Sequence, residues 1–333
     1  GASAVNCTLL GIGERTGNVP LESMVFQYAG FRGTLDGMEV EATAAILVDT
    51  TYGSLDVLYD QNSHERRYPA SITKVMTALL TLEAVDAGKL SLDQPITASA
   101  VVNDQDPEGS SAGIEEGEVL TVEQLLYCLL LVSANEAADI LAETVSGSRE
   151  TFVELMNQRA QELGCTGTHF ANTNGLHDVN HYTTAYDIYL FFREAMKHET
   201  FMTITGSVAY EVPATNKSEA RELHTTNSLL SNWRILDYLY DGVDCGKTGS
   251  TPEAGYCLVS SCLRDGKRLV AVVLGAGDAF HLVPRALALC TITERRHIAV
   301  QSLQGHARNH IRCMHQYLGL MVGLAGHCCR QCV

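Results

Sequence analysis

One pair of side chains in this sequence that could react together is Ser71 and Lys74, a serine and a lysine three residues apart. At this spacing both lie on one face of a helix, within reach of each other. A serine hydroxyl is a weak nucleophile until a base removes its proton, and a partly desolvated lysine with a lowered pKa can do so. The pair predicts an activated serine at a helix start, although an N-capping serine gives the same spacing by chance.

A second candidate motif places Ser133 and Asn135 between two apolar segments. Polar side chains in such a position need hydrogen-bond partners if they are buried. In a catalytic site the hydroxyl would relay protons and the amide would hold the backbone of a substrate. A helix–helix turn with an N-cap uses the same residue types and, for this motif alone, is the simpler interpretation.

The third motif covers Lys247, Thr248, Gly249 and Ser250, just ahead of a predicted strand that begins at Tyr256. At a strand edge, a cation, a hydroxyl and a glycine without a side chain can bind an extended peptide that ends in a carboxylate. Each motif alone is common. The combination is specific, because Ser-x-x-Lys, a serine–asparagine motif and Lys-Thr-Gly occur together in serine β-lactamases and penicillin-binding proteins.

Around these motifs, residues 41–276 resemble the low-molecular-mass penicillin-binding D-Ala-D-Ala carboxypeptidases. The matching stretches are 65–74, 129–138, 168–176 and 247–250. The resemblance implies that Ser71 attacks the carbonyl between the two terminal D-alanines of a peptidoglycan stem peptide. Lys74 would be its base and Ser133 a proton relay. β-Lactam antibiotics mimic this carbonyl, so the same serine would trap them.

The resemblance also implies how the substrate is held. The implied substrate-binding residues are Asn135, Lys247, Thr248, Gly249 and Ser250. Asn135 would bind the substrate amide, and Lys247 and Thr248 would hold the terminal carboxylate. The N–H groups of Ser71 and Ser250 would form the oxyanion hole. No metal and no other cofactor is implied.

The elements that must position these residues predict an α+β fold. Predicted strands cover 42–49, 55–59, 256–263 and 268–276, and predicted helices cover 71–87, 120–132, 134–145, 151–163 and 184–197. The helices have apolar residues at helical spacing, and Asp-Gly between the last two strands is a strong hairpin signal. The order predicts an antiparallel sheet flanked by helices, with an inserted all-helical lobe, of the β-lactamase/DD-peptidase-like class.

Charge and hydropathy exclude several kinds of partner. The formal net charge of −16 argues against nucleic acid or an anionic membrane surface as the main partner. No apolar run approaches the roughly 18 residues of a membrane span. Six carboxylates between residues 104 and 118 predict a solvated loop rather than a metal site. The resemblance implies an extracytoplasmic location in the cell envelope, although no signal peptide is visible at the amino end.

Composition also changes near residues 40 and 276, which predicts three parts: a leader (1–40) without its own fold, the peptidase domain (41–276) and a tail (277–333). Residues 1–38 resemble a fragment of the homocitrate, isopropylmalate and Re-type citrate synthases, too short to close a (β/α)₈ barrel. The tail holds five of the eleven cysteines and six of the twelve histidines. We expect the tail to be a segment that is foreign to the domain. A zinc site formed by its cysteines and histidines is the less favoured alternative.

Two other functions stay open at this point. A β-lactamase would need an efficient deacylating base, which class A enzymes carry in a Glu-x-x-Leu-Asn loop. No such string occurs in 136–246, and the nearest, 154–157, has the wrong spacing. The other alternative is a catalytically impaired module that only binds penicillin or wall peptides. In the resembling family an arginine after the last strand helps to bind the terminal carboxylate, and Arg285 is the nearest candidate.

Overall fold

The structure is a computed structural model that describes three main stretches of the chain and two short strands near its start. These are residues 42–234, 239–264 and 266–277, and the backbone of 7–8 and 19–20. The chain divides into two compact units, one of residues 39–290 and one of 1–38 together with 291–333. In the latter, strands β1 (Cys7–Thr8) and β2 (Val19–Pro20) pair in parallel.

A five-stranded antiparallel sheet forms the centre of the larger unit. Its strands are β3 (Ala44–Asp49), β4 (Asp56–Gln61), β9 (Val243–Thr251), β10 (Gly255–Arg264) and β11 (Lys267–Ala276). The spatial order is β4-β3-β11-β10-β9, so strands from both ends of the unit lie side by side. The sequences of β3 and β11 are almost continuously apolar, as expected for strands whose two faces are both buried. The predicted hairpin is confirmed, with Arg264 opposite Lys267.

Six helices of the described chain lie between β4 and β9. They are α1 (Lys74–Asp86), α2 (Val122–Leu130), α3 (Asn135–Ser146), α4 (Arg149–Glu162), α5 (Ala185–Ala195) and α6 (Glu199–Gly206). α5 packs against β3 and β11, α6 packs against β9, and α2, α3 and α4 form a lobe around α1. This arrangement confirms the predicted α+β class. No helix in the described residues is long and apolar enough to span a membrane.

Short elements complete the lobe. They are β5 (Pro95–Thr97), β6 (Val119–Thr121), β7 (Ala209–Val212), β8 (Arg221–His224) and the 3-10 turns Thr51–Gly53, Ala70–Thr73 and Ala100–Asp104. Glu118, just before β6, is buried against the guanidinium of Arg221 and accepts a hydrogen bond from Thr215 Oγ1 at 2.8 Å. The prediction of a wholly solvated acidic loop is therefore wrong for Glu118, which forms an internal ion pair.

Two elements that carry candidate residues differ from their predicted form. The helix predicted from residue 71 begins at Lys74, and a 3-10 turn over Ala70–Thr73, with Ala70 at a φ of +49°, precedes it. Lys247 lies within β9 rather than ahead of a strand. Glycines and an aspartate give β9 little intrinsic strand preference, so its pairing with β10 decides its conformation.

Candidate active site

Ser71 lies in the 3-10 turn that leads into α1, and its Oγ is 2.9 Å from Nζ of Lys74. The N-cap position of α1 belongs to Thr73, and no side chain caps the helix there. The interpretation of Ser71 as an N-capping serine is therefore wrong. Its hydroxyl instead faces the amine of Lys74, an arrangement that a nucleophile–base pair would require.

The Lys74 amine is fully buried and is surrounded by oxygen acceptors. Besides Ser71, it donates to Oδ1 of Asn135 at 2.8 Å and to the backbone carbonyl of Asn174 at 2.6 Å. These three contacts come from the turn before α1, the first residue of α3 and a loop 100 residues farther along the chain. The amine is thus fixed in position by three separate segments.

Burial also changes the acidity of this amine. Desolvation lowers the pKa of Lys74 well below its ordinary value, and the nearby charge of Lys247 lowers it further. The carboxylates of Asp139 and Glu136 act in the opposite direction but do not cancel the shift. A lysine with a lowered pKa is neutral more often at ordinary pH and can then accept the proton of Ser71.

A second serine–lysine pair joins the connection between α2 and α3 to β9. Ser133 Oγ accepts a hydrogen bond from Lys247 Nζ at 3.0 Å, and Lys247 also donates to the carbonyl of Thr248 at 2.8 Å. Burial, assisted by the charge of Arg234, lowers the pKa of Lys247 to about 7. Ser133 has a φ of +65°, a costly conformation for a residue other than glycine and one that is found preferentially at functional sites.

Asn135 is the first residue of α3 and is buried beside Lys74. Its Oδ1 accepts from Lys74, and its backbone N–H donates to the carbonyl of Ser110 at 2.8 Å. The N-cap residue of α3 is Ala134, without a side-chain cap, so the capping interpretation of this motif is wrong as well. The amide oxygen accepts from Lys74, and the amide N–H groups of Asn135 are the donors that a substrate carbonyl could accept from.

An open cavity of about 380 Å³ joins the three motifs. Five predicted residues line it: Ser71, Ser133, Thr248, Gly249 and Ser250. The other three, Lys74, Asn135 and Lys247, are buried behind that wall. A methyl group on Gly249 would lie 2.8 Å from the nitrogen of Ser71, so the glycine lets β9 approach the Ser71 turn.

Several residues at the cavity were not singled out from the sequence. Ser110, Thr226 and Arg234 line it, and Thr226 Oγ1 lies 2.6 Å from Thr248 Oγ1. The carbonyl of Asn174 that binds Lys74 was also missed. The signal for it was the Asn-Thr-Asn-Gly sequence at 172–175, a turn-forming cluster that predicts a loop but not its partner.

Other candidates from the sequence lie elsewhere. Arg285 and the tail with its cysteines and histidines are outside the described residues. The stretch 154–157, nearest to a β-lactamase loop, is part of α4. Glu154 is exposed there, and Asn157 bonds to both the N–H and the carbonyl of Phe170 at 2.8 Å, a structural role.

Comparison with known proteins identifies the family to which the chain belongs. The sequence model of the D-alanyl-D-alanine carboxypeptidase family, Peptidase_S11, matches residues 32–278. The chain is 39% identical over 236 residues to the D-alanyl-D-alanine carboxypeptidase DacF of Bacillus subtilis, covering 71% of this chain and 58% of DacF. It is 35% identical over 236 residues to the D-alanyl-D-alanine carboxypeptidase of Streptomyces K15, covering 67% of this chain and 78% of that protein.

Solved structures show the same fold. The Streptomyces K15 DD-transpeptidase superposes with a TM-score of 0.68 at 30% identity, over 77% of this chain and 97% of that one. The D-alanyl-D-alanine carboxypeptidase DacD of Francisella tularensis gives the same TM-score at 28% identity, over 77% of this chain and 71% of that one. The chain spans less than two thirds of the length of DacF. The family match begins at residue 32, so the resemblance of the leader to synthases stays a prediction.

Proposed function

Because the chain belongs to the D-alanyl-D-alanine carboxypeptidase family, we propose that it removes the terminal D-alanine of peptidoglycan stem peptides through an acyl-enzyme on Ser71. The observation that carries the proposal is the 2.9 Å contact between Ser71 Oγ and the buried amine of Lys74. β-Lactams would acylate the same oxygen and inhibit the enzyme. Its substrate is part of the cell wall, so we expect the protein to act in the cell envelope.

In the acylation step, Lys74 Nζ takes the proton of Ser71 while Oγ attacks the carbonyl between the two D-alanines. The N–H groups of Ser71 and Ser250 stabilise the charge that develops on the carbonyl oxygen. The C–N bond then breaks, and the nitrogen of the leaving D-alanine takes a proton from the hydroxyl of Ser133. Lys247, hydrogen-bonded to Ser133 and with a pKa of about 7, replaces that proton near neutral pH.

Deacylation restores the starting state. The proton that Lys74 gained is returned to Lys247 by way of Ser133, so that the Lys74 amine is neutral again. It then takes a proton from a water molecule whose oxygen attacks the ester carbonyl. As the ester C–O bond breaks, Ser71 recovers its proton from Lys74. Each cycle therefore consumes one water and releases one D-alanine and one shortened peptide.

The terminal carboxylate of the substrate distinguishes a carboxypeptidase from a general amidase. Thr248 offers a hydroxyl at the cavity wall, and the guanidinium of Arg234, with several N–H donors, lines the same cavity. Lys247 is buried behind the wall and is charged only in part near neutral pH, given its pKa of about 7. We therefore assign the carboxylate to Thr248 and Arg234.

The test is the release of D-alanine from an acyl-D-Ala-D-Ala peptide, together with mass spectrometry of the protein after exposure to penicillin. We expect D-alanine release and a single penicillin adduct on the tryptic peptide that contains Ser71. An adduct on another residue, or release of D-alanine without any adduct, would contradict the proposal. A β-lactamase would instead turn over a chromogenic cephalosporin rapidly, and a module that only binds would form no adduct.

Replacement of Thr248 by valine is expected to lower kcat/KM toward acyl-D-Ala-D-Ala by a factor that corresponds to about 1–3 kcal/mol. The change removes one donor to the substrate carboxylate and also the partner of Thr226 Oγ1. Thr248→Ser keeps the hydroxyl and is expected to recover most of the loss. Unchanged kcat/KM in Thr248→Val would mean that the carboxylate is bound by other groups.

The residues outside the peptidase domain are proposed to be dispensable for the chemistry. The division of the chain into units after residues 38 and 290 supports this, because all three motifs lie between these points. Chains covering 39–333 and 1–290 are expected to bind fluorescent penicillin and to melt like the full chain. Loss of labelling in the chain that ends at 290 would mean that the tail stabilises the sheet.

A further inference from the structure

His181 is buried next to the Ser71 turn and takes no part in the proposed mechanism. Its Nδ1 accepts hydrogen bonds from the backbone N–H groups of Ala171 at 3.0 Å and Asn172 at 3.3 Å. A ring nitrogen that accepts cannot carry a proton, so the proton of the neutral ring is on Nε2. Nε2 lies 2.7 Å from Oγ1 of Thr73 and must therefore donate to it.

The hydroxyl of Thr73 continues this chain of hydrogen bonds. Having accepted from His181, Oγ1 donates its own proton to the carbonyl of Ala70 at 2.9 Å. Ala70 directly precedes the nucleophile and has a φ of +49°, a left-handed conformation that alanine adopts only when its surroundings impose it. This series of hydrogen bonds thus ends on Ala70, the residue whose unusual backbone conformation sets the direction of Ser71.

The loop on the other side of His181 holds the base. Its carbonyl groups at Thr173 and Asn174 accept from Thr77 Oγ1 and Lys74 Nζ, both at 2.6 Å. The two N–H groups that donate to His181 belong to Ala171 and Asn172, at the start of this loop. One imidazole ring therefore connects the segment that orients the nucleophile with the segment that orients the base.

We propose that His181, in its neutral form protonated on Nε2, is a positioning residue that fixes Ser71 and Lys74 relative to each other. The inference rests on the proposed acylation of Ser71 and adds a residue that touches neither the substrate nor the reacting atoms. Replacing the ring should slow acylation at saturating penicillin while the penicillin concentration for half-maximal rate changes little. A misplacement of reacting groups by about 1 Å can cost roughly hundredfold in rate.

The surroundings of His181 also predict a dependence of stability on pH. Burial lowers its pKa to about 4, Lys74, His169 and His177 lower it as well, and Asp178 opposes them. Between the ordinary histidine pKa of 6.5 and about 4, the unfolded chain therefore binds the extra proton and the folded chain does not. The unfolding equilibrium constant should rise by up to tenfold per pH unit as the pH falls through this range.

The experiment measures acylation by a fluorescent penicillin at pH 8 over a range of concentrations in the full chain. His181→Leu and Thr73→Val are each expected to lower the maximal rate constant by about ten- to hundredfold. In His181→Gln the amide N–H can still reach Thr73, and Thr73→Ser keeps the hydroxyl, so both should recover most of the rate. His169→Gln is the control, because the exposed His169 ring contacts the carbonyl of Asn180 through Nδ1 and the ring of Tyr182, outside the hydrogen bonds that link His181 to Ala70; its rate should not change.

Maximal rates of His181→Leu and Thr73→Val equal to wild type would overturn the inference. So would losses confined to the half-saturating concentration. If His181→Leu does not fold, the pair Thr73→Val and Thr73→Ser carries the test, since both are small changes in volume. Failure of wild type itself to form an adduct would instead refute the proposed function. A second readout is the unfolding constant between pH 6.5 and 4, whose rise should be smaller in His181→Gln than in wild type.

Discussion

Lys74→Met is expected to lower the rate of Ser71 acylation by about 10²–10⁴-fold, the range for loss of a positioned general base. Methionine retains the length and apolar stem of lysine but has no amine to take the Ser71 proton. The 2.9 Å contact to Ser71 and the lowered pKa of Lys74 make this amine the base nearest to the nucleophile among the described residues. The measurement is the second-order rate constant of labelling by fluorescent penicillin.

The pH profile provides an independent check of the same role. Acylation by wild type should rise with pH as Lys74 loses its proton and level off once it is neutral. Because burial and Lys247 lower the pKa of Lys74, this rise should lie well below the range of an ordinary lysine. In Lys74→Met the residual rate should lack this rise.

Two controls make the result interpretable. Lys89→Met changes an exposed lysine beyond the end of α1 and should leave the rate unaltered. Ser71→Ala should form no adduct at all, since the attacking oxygen is gone. Acylation of Lys74→Met at the wild-type rate would remove Lys74 from the role of base, and the Ser133–Lys247 pair would be the next candidate.

Much of the fold was predictable because its signals are local. The apolar run at 42–49 predicts a strand, which the structure places at Ala44–Asp49, and Asp-Gly predicts the hairpin between β10 and β11. The order of strands and helices then leaves few arrangements for the sheet. Strand β9 escaped prediction because its conformation depends on pairing with β10 rather than on its own residues.

The candidate site was predictable in its residue types but not in its geometry. Spacing alone suggested that Ser71 and Lys74 share a helix face, whereas the serine lies in a 3-10 turn before the helix. The turn contains Ala70 at positive φ, and the Thr73 hydroxyl that donates to the Ala70 carbonyl also contacts His181, more than 100 residues away along the chain. Asn135 was expected to bind the substrate amide, and nothing local in the sequence indicates that its oxygen accepts from Lys74.

Gly175→Ala is expected to slow acylation more than about hundredfold and to destabilise the domain, because two costs act at the same residue. Gly175 has a φ of +92°, where alanine costs roughly 1–2 kcal/mol. In addition, a methyl group there would overlap the carbonyl oxygen of Ala70 and would lie 2.9 Å from the nitrogen of Ser71. Backbone atoms cannot yield as a flexible side chain would, so the turn that carries the nucleophile must move.

Gly164→Ala separates the two costs. Gly164 follows α4 with a φ of +80°, and a methyl group there would meet no atom within 4 Å. The free energy of unfolding of Gly164→Ala should therefore fall by the backbone cost alone, about 1–2 kcal/mol. This variant should melt at a slightly lower temperature than wild type and label normally with penicillin. Gly175→Ala should melt lower than Gly164→Ala and, among the molecules that remain folded, acylate more than about hundredfold more slowly, because Ser71 and Lys74 are displaced from each other.

Equal melting temperatures and equal labelling for the two variants would show that the 172–176 loop can move away from Ala70 without cost. The contact of that loop with the Ser71 turn would then have no part in holding the nucleophile.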